Sequence, residues 1–133
     1  MSAKIFNKSI TLFCSYTRNK ELKYKRVVLN NVFIDKSKIV NTNSTGMTDA
    51  NSIWVAIPMT SVKNYVYPKT FRGSPDKYMT IQEGDVLVEG IVKEDYTSMT
   101  QLFKEVDNAY TITGVDYKAF GSLPHFEVSG KWG

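Results

Sequence analysis

Residues 9–29 read SITLFCSYTRNKELKYKRVVL. Ile10, Leu12, Cys14 and Tyr16 fall on one face, with Thr11, Ser15 and Thr17 on the other. This is the period-two alternation of a half-buried strand over residues 9–18. Phe13 breaks the polar face and is expected to touch a neighbouring subunit. Arg18, Asn19, Lys20 and Glu21 read as a turn, and a second strand follows over residues 23–29. A third is expected over residues 32–39. Asn30 and Asn31 between them tolerate the left-handed backbone of a tight turn or bulge.

The same punctuation continues along the chain. Residues 41–51 are polar, contain Gly46 and read as an exposed loop. Ile53, Val55 and Ile57 alternate with Ser52, Trp54 and Ala56 in another strand, which Pro58 ends. Residues 86–92 are apolar on both faces, as in a strand covered on both sides. The one helix expected opens at Ser98, with Gln101 completing a capping box. Met99, Leu102, Phe103, Val106 and Tyr110 form its apolar stripe. Strands over residues 110–117 and 125–132 finish the chain, joined through Gly121, Ser122, Leu123 and Pro124. The expectation is a mainly all-β fold over residues 1–133, a small barrel or sandwich of about seven strands with one short helix. Closing the barrel would remove exposed sheet edges.

One segment resists this reading. Residues 59–80 form a long loop without clear periodicity, and such loops are often functional. Lys63, Tyr65, Tyr67, Lys69, Phe71, Arg72 and Lys77 make it both aromatic and basic, with prolines at 68 and 75. It is the candidate channel or partner contact, and removal of residues 63–76 is expected to leave folding intact. A second basic set, Arg18, Lys20, Lys23, Lys25 and Arg26, surrounds the first turn. On a strand Lys23 and Lys25 point one way, Tyr24 and Arg26 the other. A solvated hairpin tip, proximity to DNA and a single-strand-binding OB barrel all remain open for this set.

Composition narrows the classes. At 133 residues and 42% apolar content the chain is long enough for one hydrophobic core. No apolar run approaches the ~20 residues of a membrane helix, and no membrane partner is expected. Residues 1–8 lack the apolar stretch of a signal peptide. A single cysteine, Cys14, rules out an internal disulfide and favours a reducing compartment. Its place on the apolar face makes it a core thiol. With one histidine, His125, and no nucleotide-binding motif, neither catalysis, a metal nor a cofactor is expected. The net charge of +4 divides unevenly, with +7 over residues 1–40, +2 over 41–80 and −5 over 81–133. That division reads as two unlike surfaces, unless the first and last strands lie side by side.

Seven segments in order carry a resemblance. They are ITLFCSY (10–16), VFID (32–35), IPM (57–59), VYPKTF (66–71), QEGDVLVEGIV (82–92), YTITGVDY (110–117) and LPHFEVSGK (123–131). Their order and spacing, over residues 9–131, resemble a family of small structural proteins of tailed bacteriophages and prophages, encoded in the head-to-tail gene block. The resemblance implies a head–tail stopper or connector in the virion neck, assembled in the host cytoplasm. It implies a homo-oligomeric ring, hexamer or dodecamer, between portal or adaptor proteins and tail-completion or terminator proteins. Packaged double-stranded DNA would be met without sequence preference. A tail terminator, a minor capsid protein and an OB-type single-stranded DNA-binding protein are the alternatives.

Overall fold

Strand pairing returns to its starting point in this protein. In a computed structural model, which describes residues 6–36, 52–119 and 122–132, the antiparallel strands close into a barrel in the order β1-β2-β3-β6-β5-β4. They are β1 (Lys8–Arg18), β2 (Glu21–Asp35), β3 (Ser52–Pro58), β4 (Val86–Glu89), β5 (Ala109–Lys118) and β6 (His125–Trp132). Two short helices, α1 (Pro68–Gly73) and α2 (Met99–Glu105), accompany them. The loop expected over residues 41–51, the end of the strand expected over 32–39, and Gly121 lie outside the described residues.

The β1–β2 hairpin turns through Asn19 (φ 53°) and Lys20 (φ 64°). Two consecutive positive φ values make a type I′ turn, whose twist matches that of the flanking strands. The two strands expected over 23–29 and 32–39 are one strand. Asn31 (φ 60°) is the extra residue of a bulge, since Ser9 pairs with Asn30 and Lys8 with Val32. The bulge bends β2 so that its first part pairs with β1 while Phe33, Ile34 and Asp35 pair with β3. This merger reduces the expected seven strands to six among the described residues.

Inward-facing side chains of every strand fill the barrel: Ile10, Leu12, Leu29, Val32, Ile53, Val55, Leu87, Ile112, Phe126 and Val128 are all buried. A Cβ at Gly130 would stand 3.1 Å from the Tyr110 Cβ and 3.2 Å from the Ile53 Cγ2. Both distances are tighter than ordinary contact, so glycine at this position lets Tyr110 and Ile53 pack closely against β6. At the end where β2 leaves the barrel, Lys36 forms a 2.6 Å ion pair with Glu89.

A second apolar cluster lies outside the barrel wall. Phe13, Val86, Val88 and Ala109 turn outward and are covered by Leu102 of α2, with Met99, Phe103, Val106, Tyr24 and Tyr96 around them. Phe13 is therefore 0% exposed within its own chain, edge-on to Tyr96 at 6.2 Å, rather than reaching a neighbouring subunit. Its break in the alternation marks the wall that α2 covers. β4 is covered on both faces as expected, with Leu87 inside and Val86 and Val88 under α2. It ends at Glu89 rather than at residue 92, because Gly90 (φ 104°) turns the chain out. The buried Thr11 pins that turn: its hydroxyl donates to Gly90 O at 2.8 Å and accepts from Val92 N at 2.9 Å. Half of the capping box forms, with Ser98 Oγ accepting from Gln101 N at 3.2 Å. The Gln101 side chain turns to Glu105 instead. Tyr110 belongs to β5 and not to the helix, which ends at Glu105.

Candidate functional site

The segment expected as a long loop is an ordered cap over one barrel end. After β3 the chain makes a single 3₁₀ turn (Met59–Ser61), a parallel bridge between Tyr65 and Met79, and α1. Pro68 suits the first turn of α1, where a missing N–H costs nothing. One helical turn is enough to drive Phe71 into the barrel mouth, where it is 0% exposed and meets Tyr16 edge-on at 6.0 Å. Met79 and Ile81 join it in the core.

Polar groups of the hairpin hold the cap down. The Lys25 ammonium donates to the carbonyls of Pro75 (2.8 Å), Tyr78 (2.9 Å) and Asp76 (3.4 Å). Cys14 Sγ donates to Thr80 O at 3.2 Å. Burial pushes this thiol up to about 12, as befits a core group and not a nucleophile. Asp85 is buried at the edge of the cap and accepts from Ser15 N at 3.1 Å, from Ser15 Oγ, and from Gln82 Nε2 at 2.8 Å. Arg72 reaches the same network through Gln82 Oε1 at 3.2 Å. Burial raises the Asp85 carboxyl above its ordinary pKa, and the hydrogen bonds from Ser15 and Gln82 act against that.

These contacts redistribute the candidate residues. Phe71 is core and offers no partner contact, so removing residues 63–76 would open the barrel end instead of sparing the fold. Lys63, Lys69 and Lys77 are exposed on the cap, as is Arg72. In the hairpin set, Lys25 is committed to the cap. Arg26 donates to Asp95 at 2.8 Å and to Val92 O at 3.1 Å. Arg18 stands 3.4 Å from Asp76 and over the Tyr16 ring. Lys20 and Lys23 stand exposed at the tip beside Leu22, itself 59% exposed.

Tyr65 and Tyr67 do meet, in a cleft of about 380 Å³ between the cap and the β5–β6 hairpin. Tyr65 lies 4.7 Å from Phe126 and 6.1 Å from Tyr67 between ring centroids, and Tyr117 lies 5.0 Å from Phe126. Met59, Val66 and Thr70 complete the lining. Tyr67 and Tyr117 form an open rim, 74% and 46% exposed. Tyr117 and Phe126 carried no signal of this role in the sequence, where each reads as one more strand aromatic. The register that sets them side by side and beneath the cap creates the site. On the outer face next to them, Asp116 is paired with Lys118 at 2.9 Å and Glu127 with His125 at 3.0 Å.

Chemically, the cleft offers ring faces and few polar groups, which suits apolar or cationic groups. Among the described residues no group of three or more His, Cys, Asp or Glu could hold a metal ion. No helix among them is long and apolar enough to cross a membrane.

No curated protein and no solved structure matches the chain. A family described as being of unknown function, DUF6751, matches residues 5–131. That span takes in the cap, both helices and all but the last residue of the barrel, so the chain belongs to this family of unknown function.

Proposed function

We propose that the protein is a non-enzymatic structural component of the neck of a tailed bacteriophage, a head–tail stopper or connector acting as a ring around the DNA channel. The observation that carries the reading is the placement of two unlike surfaces. In the ring of strands the β1–β2 pair stands opposite the β5–β6 pair, with β3 between them on one side and β4 on the other. The first and last strands, β1 and β6, are therefore not neighbours, and the lysine-bearing β1–β2 tip stands apart from β5–β6 with Asp116 and Glu127. The rest of the acidic third, on and around β4 and α2, lies beside β1–β2 and pairs Glu89 with Lys36 and Asp95 with Arg26. A ring closed by rotation needs two such faces, because each subunit meets its neighbours through different patches. The ordered run of seven segments supports the phage setting, with portal or adaptor proteins on one side and tail-completion proteins on the other.

The OB-type reading loses support from the same contacts. Lys25 is occupied by cap carbonyls and Tyr24 packs into the cluster under α2, so neither presents a strand-binding surface.

Electron microscopy of particles assembled without the protein tests the proposal. Full heads with unattached tails are expected. Overlong tails would assign it to tail termination, and normal infectious particles would overturn a neck role. A low-salt gel assay on single-stranded DNA tests the OB alternative, and no shift is expected.

A further inference from the structure

Two exposed features at the same barrel end have complementary chemistry. β1 ends and β2 begins at the capped end, and β5 ends and β6 begins there too, so both hairpin ends point that way. On one flank, the β1–β2 tip presents Leu22 with the ammonium groups of Lys20 and Lys23. On the opposite flank, the cleft presents the rings of Tyr65, Tyr67, Tyr117 and Phe126. The carboxylates of Asp116 and Glu127 stand on the outer face of the same hairpin and are shared with Lys118 and His125. A large aliphatic side chain left in water between two lysines is unfavourable in an isolated chain. An aromatic cleft would cover it, and its ring faces attract the cationic neighbours. Within one chain the β1–β2 and β5–β6 pairs stand on opposite sides of the ring of strands, so the partner that satisfies both features is another copy.

We propose that residues 20–23 of one copy seat in the aromatic cleft of the next, Leu22 against the rings and a lysine over a tyrosine face. The contact is head-to-tail, and each subunit donates one tip and receives another. It rests on the ring reading above and supplies that ring's subunit contact.

Mixed cross-linking of the full chain tests it. L22C and Y117C variants are prepared separately, checked for wild-type melting, mixed and oxidised. Native Cys14, buried in the barrel, serves as the internal control. A disulfide joining L22C to Y117C is expected well above either homodimer. Statistical proportions of the three dimers, or no disulfide at near-millimolar protein, would overturn the contact. In sedimentation of uncross-linked protein, L22D and Y67A are each expected to weaken self-association by about tenfold or more. I91D, at another exposed apolar residue, is expected to leave it unchanged. Association that ignores L22D and Y67A would overturn the contact. So would loss of the cross-link on adding short duplex DNA, which would assign the tip to DNA. A neck-located protein cross-linked through another surface overturns this contact alone. A confirmed contact in a protein absent from virions overturns the neck role alone.

Discussion

The cap and the α2 segment solve the same problem by different means. Each is an irregular stretch with one short helix, and each drives one large side chain to complete burial, Phe71 in the barrel mouth and Leu102 on the outer wall. The α2 helix itself is held by apolar packing against Phe13, Val86 and Val88, and the polar ties of its segment, from Thr11 and Arg26, reach only residues 90–95 ahead of the helix. The cap adds long-range polar ties, from Lys25, Cys14, Ser15 and Asp85, to segments about 50 residues or more away in sequence. Hydrophobic burial is tolerant of orientation, whereas a charged donor shared among three carbonyls fixes one. The difference teaches that the cap's position, and with it the cleft's outline, is specified more strictly than the outer cover.

Breaking each anchor weighs the two regions. Phe71→Ala is expected to cost about 3–5 kcal/mol in denaturant unfolding, as for other large-to-small changes of buried aromatics. Leu102→Ala is expected to cost about 2–5 kcal/mol, toward the lower part of that range, because the outer cover can collapse onto the wall. The two side chains belong to separate clusters, so the double variant should be additive within about 0.5 kcal/mol. A larger coupling would mean that the barrel wall between them transmits strain.

Lys25→Met separates orientation from packing. Removing the charged donor leaves the Pro75 and Tyr78 carbonyls without it, at about 1.5–3 kcal/mol. Modification of Cys14 by a thiol reagent reads cap opening, since its sulfur is tied to Thr80 O. That rate should rise about tenfold or more in Lys25→Met and stay near the wild-type value in Ser98→Ala. Ser98→Ala itself removes the N-cap of α2 and should cost about 1 kcal/mol.

The subtlest contrast is in pH. The carboxyl of Asp85 has a raised pKa in the folded chain, so the folded state takes up its proton at higher pH than the unfolded state does. Its contribution to stability is therefore full below the unfolded value and is lost as pH rises through the folded one. The stability of wild type minus that of Asp85→Asn should grow as pH falls through that window. A flat difference would mean the Ser15 and Gln82 donors fully offset the burial.

Much of the barrel was legible because alternation is local. Residues 9–18, 53–57 and 125–132 each show their buried face in their own sequence, and the α2 stripe announces itself from Met99 to Val106. α1 was hidden because six residues led by a proline give no helical period, and its stability comes from where Phe71 lands. β2 looks like two strands in the sequence because the chemistry of Asn30 and Asn31 fits a turn and a bulge equally well. Half of the cleft was legible as an aromatic, basic segment. The other half, Tyr117 and Phe126, becomes a site only through the pairing of β5 with β6 beside the cap. Lys25 was legible as a cation but not as a tether, since its carbonyl partners lie in a segment that local pattern cannot place.

The bulge at Asn31 has a mechanical corollary. Because β2 bends there without breaking, one unbroken strand runs from the exposed turn along β1 and on into the ladder with β3. Tension applied at the turn along the strand direction meets the β2–β3 and β1–β4 ladders side-on, so their hydrogen bonds share the force and do not peel one at a time. The hairpin is built as a strut, able to take a pull at its tip and spread it around the wall of the barrel.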